Sequence, residues 1–313
     1  MIRPIQGRDT ETVVALWNRA LPRDTTTTER FAKWLFADPD FDVHTGDGAW
    51  VAEENGKVAG FIRAVKRTMP NDRIGPEENL GWMPVLFVAE EHRRKGIGDA
   101  LITKALDWHK SRKTKRIWLC GNSGSAPGYI FPGVDIDTYP AALALYKKHG
   151  FVVDREAVSM SGPLLDFDVE AKRKAALAAG AAQNISVETL RPETVMAFLS
   201  FLRTSFPGDW NAAARNKIKG GGMSQILIAM NGDKAVGYCQ YESDGHFGPF
   251  GVDESMRGKG VGALLFLESC RRMKDLDIRH AWFNWADPDA ARFYSRLDIF
   301  PTRRFAVMRK DLA

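Results

Sequence analysis

Two six-residue segments combine clustered cations with closely spaced glycines, RRKGIG at residues 93–98 and RGKGVG at residues 257–262. A strand that ends in a tight turn and feeds a helix leaves several backbone N–H groups unpaired at the positive end of the helix dipole. Glycine lets the main chain approach a ligand closely, and the adjoining cations add positive charge. Both segments therefore predict a site for a diphosphate. A random basic cluster would need no second copy in the other half of the chain.

Two familiar phosphate-binding motifs do not match these turns. A Walker loop requires the pattern GxxxxGK[ST], which neither segment contains. A dinucleotide-binding GxGxxG turn requires a third glycine, and neither segment has it. The turns therefore predict a third kind of phosphate cradle, built on a strand-to-helix connection.

The elements around the first turn follow a clear order. A short strand (IRPI) and two helical segments precede a hairpin through Asn55-Gly56, which is a strong turn signal. The strand GWMPVLFV then runs into the first turn, and apolar residues recur at helical spacing over the following GDALITKALDWHKSRK. A strand (RIWLCGN), a long loop, a short helix and a strand from Phe151 complete this half.

The second half repeats the order, with a hairpin through Asn231-Gly232 and the strand RRFAVMRK as its last element. Between the halves, EAKRKAALAAGAAQN is rich in alanine and cations and predicts a helical or loose linker. We therefore expect two domains at residues 1–168 and 185–313, with a linker at 169–184. The fold class predicted is α/β, with a twisted, mostly antiparallel mixed sheet flanked by helices in each domain.

Composition limits the possible function classes. The 313 residues are 44% hydrophobic and 27% charged, which is typical of a globular protein, and the net charge of +5 mildly favours anionic ligands. The three cysteines have no metal-like spacing and predict buried free thiols, and we expect no bound metal. With no apolar leader or 18-residue apolar run, we expect a cytoplasmic protein that does not bind membranes.

Both halves resemble the GNAT family of N-acetyltransferases. That family's acyl-CoA motif places a valine five residues before an Arg or Gln, which is followed by two residues, Gly, one residue, and Gly or Ala. Here the valines are Val88 and Val252, and the turns follow Arg93 and Arg257. A second family motif, an aromatic or leucine before Tyr-x-x-x-Gly-Phe, matches residues 145–151 fully and residues 293–299 with two substitutions, Asp298 for the glycine and Ile299 for the aromatic.

The resemblance implies that each half binds acetyl-CoA or another acyl-CoA as co-substrate. The diphosphate would lie on the turn, and the pantetheine arm would lie between the strand before the turn and the strand after the helix. Asn122 and Asn284 match positions that contact this arm. The residues implied to bind the donor are, in the first half, Val88, Arg93, Arg94, Lys95, Gly96, Ile97, Gly98, Asp99 and Asn122, and in the second half, Val252, Arg257, Gly258, Lys259, Gly260, Val261, Gly262 and Asn284.

The resemblance also implies direct attack of a primary amine of a small molecule on the thioester. The motif tyrosines Tyr146 and Tyr294 are the candidates that donate a proton to the departing thiolate. A tyrosine that only packs in the core is the competing interpretation of each. A base is needed because a primary amine is mostly protonated at neutral pH.

The sequence leaves the base and the acceptor pocket open. Candidate bases are Asp135, Asp137, Glu242, Asp244 and His246, and each of them is also compatible with an ordinary surface position. The loop GYIFPGVDIDTYP carries Tyr129, Phe131 and Tyr139, which would either line an acceptor pocket beside Tyr146 or form a packing lid.

Two other functions remain compatible with the sequence. One is a CoA-binding sensor or scaffold without turnover. The other is an acyltransferase whose donor is the phosphopantetheine arm of an acidic acyl carrier protein. A nucleic-acid partner is not expected, because the cations form no stripe with interleaved aromatic residues. We expect both halves to bind CoA, at least one to be catalytic, and the protein to be a monomer or homodimer.

Overall fold

A computed structural model describes residues 1–70, 75–121, 126–164, 169–181 and 184–312. The chain forms two compact units, which we name the N-terminal unit and the C-terminal unit. The N-terminal unit comprises Met1–Pro70, Gly75–Ala157 and Arg304–Ala313, and Val158–Arg303 belong to the C-terminal unit. None of the helices in these described ranges has the length and apolarity needed to cross a membrane.

Up to its seventh strand, the chain follows the predicted order of elements. The elements are β1 (Ile2–Pro4), α1 (Thr10–Ala20), α2 (Thr28–Leu35), β2 (Ala49–Glu54), β3 (Lys57–Val65), β4 (Leu80–Val88), α3 (Ile97–Ser111), β5 (Arg116–Leu119), β6 (Val134–Asp135), α4 (Pro140–Lys148) and β7 (Val152–Pro163). The predicted hairpin through Asn55-Gly56 is confirmed, since both residues have left-handed φ angles of 52° and 72°.

The remaining elements repeat that order. They are α5 (Val169–Ala181), β8 (Ile185–Thr189), α6 (Val195–Ser205), α7 (Asp209–Lys219), β9 (Ile226–Asn231), β10 (Lys234–Tyr241), β11 (Phe247–Val252), α8 (Val261–Asp275), β12 (His280–Ala286), α9 (Pro288–Ser295) and β13 (Phe300–Asp311). The sequence analysis did not identify α7 or the two-residue β6. The linker segment forms α5, which packs along α8.

In the N-terminal unit, the order of strands is β1-β2-β3-β4-β5. The first four pair antiparallel, and β4 pairs parallel with β5. One apolar core lies under α3 and contains Ile62, Leu101 and Ile102, and a second lies under α1 and α2 and contains Trp17, Phe31 and Phe61. Helices thus cover both faces of the sheet, as the predicted α/β class requires.

In the C-terminal unit, the order of strands is β11-β10-β9-β8, and all pairs are antiparallel. Strand β12 pairs with residues 158–163 of β7. Apolar cores again lie on both faces, one under α8 and α9 with Leu264 and Phe266, the other under α6 and α7 with Phe198 and Tyr238. The three cysteines are buried and free, as predicted.

From Arg304 onward, the last strand of the chain lies in the N-terminal unit and not in the C-terminal domain predicted from the sequence. Residues 309–311 of β13 pair with β5, and residues 305–306 pair with β6, all within the N-terminal unit. The ion pairs Arg304–Asp137 (2.8 Å) and Arg309–Asp154 (2.9 Å) also hold this strand there. The compact units therefore differ from the predicted boundaries, because two long strands each contribute residues to both units.

We expect removal of residues 304–313 to unfold the N-terminal unit selectively. Strand β5 would lose its neighbour and expose an unpaired edge, and Ala306 and Met308 would leave the apolar core under α3. Hydrogen exchange of a chain that ends at Arg303 should show loss of protection in β4 and β5, while β8–β11 stay protected. Added peptide 304–313 should restore the protection. Unchanged exchange in β5 would contradict this assignment.

Buried His109 makes the stability of the N-terminal unit sensitive to acid. Its side chain is fully buried on α3, with Nε2 3.3 Å from the Trp82 carbonyl oxygen and Nδ1 3.3 Å from Thr114 Oγ1. Burial, with smaller effects of Lys66 and Arg112, lowers the pKa of His109 from 6.5 to about 3. Below pH 6.5 the unfolded chain therefore binds a proton that the folded chain does not bind, and stability falls as the pH drops toward 3.

We expect His109→Gln to reduce this acid sensitivity. The histidine contributes a loss of up to about 1.4 kcal/mol of unfolding free energy per pH unit between pH 6.5 and 3, which a neutral amide does not. Thermal unfolding at pH 7 and pH 5 should show a smaller difference in Tm for the variant than for the wild type. Exposed His44→Gln is the control and should behave as wild type; an equal pH response in all three proteins would refute the role of His109.

Candidate functional site

The two predicted turns have the same backbone conformation. Arg94 and Gly96 have φ angles of 61° and 81°, and Gly258 and Gly260 have angles of 75° and 81°. Each turn therefore places left-handed residues on both sides of a lysine. Alternation of this kind turns successive N–H groups toward one point and forms an anion-binding nest. Arg94 takes a strained conformation where the second copy has glycine.

A helix starts directly on each nest. The carbonyl of Gly96 accepts the first helical hydrogen bond of α3 from Ala100 (3.0 Å), and that of Gly260 accepts the first of α8 from Leu264 (3.0 Å). The N–H groups of residues 97–99 and 261–263 therefore have no partner within their helices and point out of the helix start. They add the positive end of the helix dipole to the nest, which is the geometry that binds phosphate.

The charged side chains of the first turn divide into two groups. Arg93, Arg94 and Lys95 are exposed, with Arg93 Nε donating to the Val88 carbonyl (3.1 Å) and Lys95 lying 3.4 Å from Glu54. Asp99 instead faces α4, where Lys148 (2.6 Å) and His149 (2.9 Å) lower the pKa of its carboxyl. The side chain of Asp99 therefore ties α3 to α4, and only its N–H belongs to the nest.

Directly before the first nest, β4 has an edge with no strand partner among the residues that the structure describes. The last bond between β4 and β5 runs from the Cys120 N–H to the Met83 carbonyl (3.0 Å), and Cys120 then turns away with φ 62°. The Ala89 N–H donates to Ala59 on the β3 side, so Leu86 directs its N–H and C=O groups, and Val88 its N–H group, to the opposite edge, while the Val88 carbonyl accepts from Arg93 Nε. Among the described residues these groups have no strand partner on that edge, and we name the open edge of β4 from Leu86 to Val88 the N-terminal slot.

The C-terminal unit has the corresponding C-terminal slot. Within the described ranges, β11 and β12 meet in one parallel bridge, between His246 and Trp282. The Asp253 N–H donates to Val236 of β10, so Val252 and Phe250 direct their backbone groups toward the slot. In both slots, the free backbone groups can pair with the amide groups of an extended arm, as in strand addition.

A strand bulge with a proline marks the inner end of each slot. The register of β3 with β4 shifts between Arg63 and Val65, opposite Met83-Pro84, and that of β10 with β11 shifts between Cys239 and Tyr241, opposite Gly248-Pro249. Proline has no N–H to donate, so it is tolerated at a bulge. The sequence analysis missed both bulges, although a proline inside a central strand was the available signal.

Glycines let the nests approach their neighbouring helices. A Cβ on Gly98 would lie 3.0 Å from Leu145 of α4, and one on Gly262 would lie 3.4 Å from Phe250 and 3.6 Å from Phe293. Helix α4 and helix α9 therefore border the two slots. The side chains there differ, since Phe250 and Phe293 stack with ring centroids 5.9 Å apart, where the N-terminal unit has leucines at positions 86 and 145.

Both motif tyrosines lie on these bordering helices and are buried, at 5% exposure for Tyr146 and 6% for Tyr294. Burial raises the pKa of each hydroxyl above its usual range, so both stay protonated at neutral pH. Tyr146 packs against Phe151 and near Cys120, whose own pKa is raised by burial to about 12. Tyr294 lies among five phenylalanine rings, the nearest being Phe283 at 4.5 Å.

The tyrosine motif of the C-terminal unit, residues 293–299, has two substitutions but keeps the turn after its helix. Asp298 has φ 61°, as Gly150 has φ 80° at the matching position. The Ile299 N–H donates to Tyr294 (3.2 Å) in the same way as the Phe151 N–H donates to Tyr146 (3.1 Å). Aspartate tolerates the left-handed conformation, so the substitution does not displace the tyrosine.

The candidate bases of the N-terminal unit have structural partners. Asp135 is buried and accepts the N–H groups of Asp137 (3.2 Å) and Thr138 (2.9 Å). Asp137 is exposed, and its hydrogen bond from Arg304 lowers the pKa of its carboxyl. Both carboxylates therefore stabilise the loop before α4, and the hydrogen bond from Arg304 makes Asp137 a weaker proton acceptor.

The candidate bases of the C-terminal unit cluster before β11. Glu242 pairs with Lys217 (2.7 Å), and Asp244 accepts the His246 N–H (3.0 Å). His246 packs edge-on against Trp282 (4.7 Å between centroids), and burial lowers its pKa below the usual value. His246 thus stays neutral at physiological pH and lies at the closed end of the C-terminal slot.

The predicted arm-binding asparagines have different outcomes. Asn122 lies outside the described residues. Asn284 is on β12, where its carbonyl oxygens accept from Ser159 Oγ at 3.2 Å (main chain) and 3.4 Å (side chain). The hydrogen bond from Ser159 of β7 therefore directs the side chain of Asn284 toward β7.

The aromatic loop packs inside the N-terminal unit. Phe131 contacts both apolar cores and lies 6.4 Å from Trp17, and burial raises the pKa of Tyr129. A Cβ on Gly133 would lie 2.2 Å from the Ala306 carbonyl oxygen, so the loop packs directly against the backbone of β13. Tyr139 precedes α4 directly and orients the helix that carries Tyr146.

Comparison with known proteins assigns both halves to one family. A model of the acetyltransferase (GNAT) family matches residues 11–151, and a model of the acetyltransferase (GNAT) domain matches residues 187–300. An uncharacterized N-acetyltransferase of Archaeoglobus fulgidus is 30% identical over 93 residues, and streptothricin acetyltransferase A of Bacillus subtilis is 29% identical over 133 residues. These alignments cover 29% and 41% of this chain and only 57% and 65% of the two relatives.

Solved structures share the fold over the whole chain. The glucosamine N-acetyltransferase region of a fungal multi-domain GH3 beta-N-acetylglucosaminidase has a TM-score of 0.82 at 19% identity and covers 99% of this chain and 38% of that one. A tandem GNAT protein from the clavulanic acid biosynthesis pathway has a TM-score of 0.63 at 15% identity, covering 99% and 98%. At these identities the likeness shows the fold alone.

We expect Gly96→Ala to weaken binding of CoA to the N-terminal nest. Alanine at φ 81° costs about 1–2 kcal/mol of backbone strain, and its methyl group would project into the open space of the nest. Calorimetric titration should show that the Kd for CoA at the N-terminal nest rises about tenfold or more. Gly56→Ala, a left-handed glycine in the β2–β3 turn, is the control for strain and should bind as wild type. Equal affinities in both variants would exclude the nest as the site.

Proposed function

The chain belongs to the GNAT acetyltransferase family with one such domain in each half, and we propose that it transfers an acetyl or other acyl group from acyl-CoA to a primary amine of a small molecule. We assign the transfer to the N-terminal site. The proposed acyl transfer rests on one observation: a nest, a free strand edge and a buried tyrosine are aligned within the same unit.

The N-terminal site consists of the nest, the N-terminal slot and Tyr146. These parts follow one another in the order in which a bound CoA thioester would contact them. The diphosphate would lie on the N–H groups of residues 96–98, with the cationic side chains of the turn around it. The arm would run along the backbone groups of Leu86 and the N–H of Val88, which have no strand partner on that side among the described residues. The thioester would then lie toward the bulge at Pro84, near the helix that carries Tyr146.

The chemistry proposed is direct acyl transfer. A free amine, which forms when the ammonium gives up a proton to solvent water, attacks the thioester carbon; a C–N bond forms, the C–S bond breaks, and the nitrogen releases its second proton to water. The departing thiolate takes a proton from Tyr146, which is reprotonated from solvent. Because burial raises the pKa of Tyr146, its hydroxyl carries a proton at neutral pH. Binding both substrates in one slot supplies the proximity.

A difference in side-chain size favours the N-terminal site. Phe250 and Phe293 stack beside the C-terminal slot, where the N-terminal unit has leucines, and more rings surround Tyr294. These aromatic side chains fill more of the space next to the arm and the tyrosine hydroxyl. We therefore infer that the C-terminal nest binds CoA and supports the fold without carrying the main transfer.

The names of the similar proteins support a small amine as acceptor. Streptothricin acetyltransferase A and the fungal glucosamine N-acetyltransferase region are both named for small molecules. An acyl carrier protein as donor is the alternative, since its phosphopantetheine arm would use the same slot. That alternative predicts salt-sensitive binding to the carrier and poor use of free CoA thioesters.

We expect Tyr146→Phe to lower kcat by about 100-fold or more, because general acid catalysis typically contributes that much. The KM for acetyl-CoA should change little, since the ring keeps its packing. Thiol release from acetyl-CoA, measured with a panel of primary amines, is the assay. Tyr294→Phe is the matched control and should retain wild-type kcat. Loss in Tyr294→Phe alone would move the transfer to the C-terminal site, and no loss in either would reject both tyrosines as acids.

A further inference from the structure

Arg63 is a buried arginine at the inner end of the N-terminal slot. It is 1% exposed and lies on β3 opposite Val85, at the β4 bulge. Its guanidinium stacks over Trp34 at 4.6 Å, and a Cβ on Gly128 would lie 3.1 Å from Arg63 Cζ and 3.3 Å from Pro84 Cγ. The guanidinium therefore lies over the bulge, on the face of the sheet that α1 and α2 cover.

The hydrogen bonds of Arg63 do not use its full donor capacity. Nη1 donates to the Trp34 carbonyl (3.0 Å) and Nη2 to the Asp38 carboxylate, while Nε is buried with no partner among the described residues. A buried unpartnered donor is costly and uncommon in native proteins. A ligand oxygen that accepts from Arg63 would remove that cost.

The C-terminal unit has a polar side chain at the same place. Arg63 is three residues after Gly60, which pairs with Val88, and Gln240 is three residues after Gly237, which pairs with Val252. Gln240 is 5% exposed, and its Oε1 also lacks a partner among the described residues. Core packing alone would favour an apolar residue at both positions. Buried polar groups with spare hydrogen-bonding capacity at both bulges point instead to contact with a ligand.

The position of Arg63 along the slot matches the reacting end of the donor. From Val88 beside the nest to Pro84 at the bulge, the strand rises about 13 Å. An extended arm anchored by its diphosphate at the nest would therefore bring its thioester to the level of the bulge. An acceptor whose amine attacks there would place its neighbouring atoms against the guanidinium.

We propose that Arg63 binds a carboxylate on the acceptor, so that the N-terminal site takes a small amino acid rather than a simple amine. This inference rests on the proposed acyl transfer at the same site. Arg63 and Asp38 form a neutral pair, and the α-ammonium and α-carboxylate of an amino acid also balance each other, so entry of this head group adds no net charge to a buried site. Arginine also binds carboxylates with directional, charge-assisted hydrogen bonds.

The test compares amino acids with their decarboxylated amines, for example lysine with cadaverine, by thiol release from acetyl-CoA. We expect wild-type kcat/KM to favour the amino acid by about tenfold or more, as loss of a charge-assisted hydrogen bond implies. The variant Arg63→Gln/Asp38→Asn removes both charges together, so neither is left buried alone. Its preference for the amino acid should disappear, because kcat/KM for the amino acid falls toward the value for the amine.

A control variant and a binding measurement keep the test independent of folding and of turnover. Arg67→Gln removes another buried arginine of the N-terminal unit, one that pairs with Glu77 (2.8 Å), and should retain the preference. With CoA bound, lysine should raise the Tm of the wild type but not that of the double variant, even if turnover is absent. Absence of turnover with every amine would thus reject the proposed function and leave the Tm comparison to decide the role of Arg63.

Three results would overturn the role of Arg63. Equal kcat/KM of the wild type for amino acids and their decarboxylated amines would do so, as would a preference that persists in Arg63→Gln/Asp38→Asn. Equal use of lysine and lysine amide would show that a carbonyl oxygen suffices and would exclude carboxylate recognition. In the first two cases the role of Arg63 would be structural, since its guanidinium packs against Trp34 and against the loop at Gly128.

Discussion

The paired nests depend on one backbone constraint, the placement of two left-handed residues on either side of a lysine between a strand and a helix. Only this alternation turns the last N–H groups of the turn and the first of the helix toward one point. The constraint explains why glycine occupies three of the four left-handed positions. It also explains why the cations are exposed around the turn, since the main chain supplies the specific contacts and the side chains supply charge.

A second constraint acts at the other end of each slot. Strand β4 must pair with β5 at its start and separate from it before its end, and β11 and β12 must do the same. Cys120 turns away from the strand direction directly after β5, and bulges with proline shift the register of the central strands at the same level. The free edge between the bulge and the nest is therefore a product of strand geometry rather than of any single side chain.

Repetition of the scaffold makes the differences between the halves informative. The nests, the helix starts and the tyrosine turns agree closely, yet the residues that border the slots do not. Leucines border one slot and stacked phenylalanines the other, and an arginine at one bulge corresponds to a glutamine at the other. Under the proposed function, the shared elements would bind the donor, and the residues that differ would lie next to the reacting groups.

Local patterns determined most of the fold and the conformation of the two glycine turns. The turns, the hairpins at Asn55 and Asn231, the helix periodicity and the tyrosine motifs were readable because each depends on residues close together in the chain. The sequence did not determine that β13 pairs with β5, because a strand's pattern does not name its partner. Nor did it bring Arg63 to Pro84 and Asp38, or bind Asp99 to α4. Those contacts join residues distant in sequence, and only the packing of the sheet and its helices decides them.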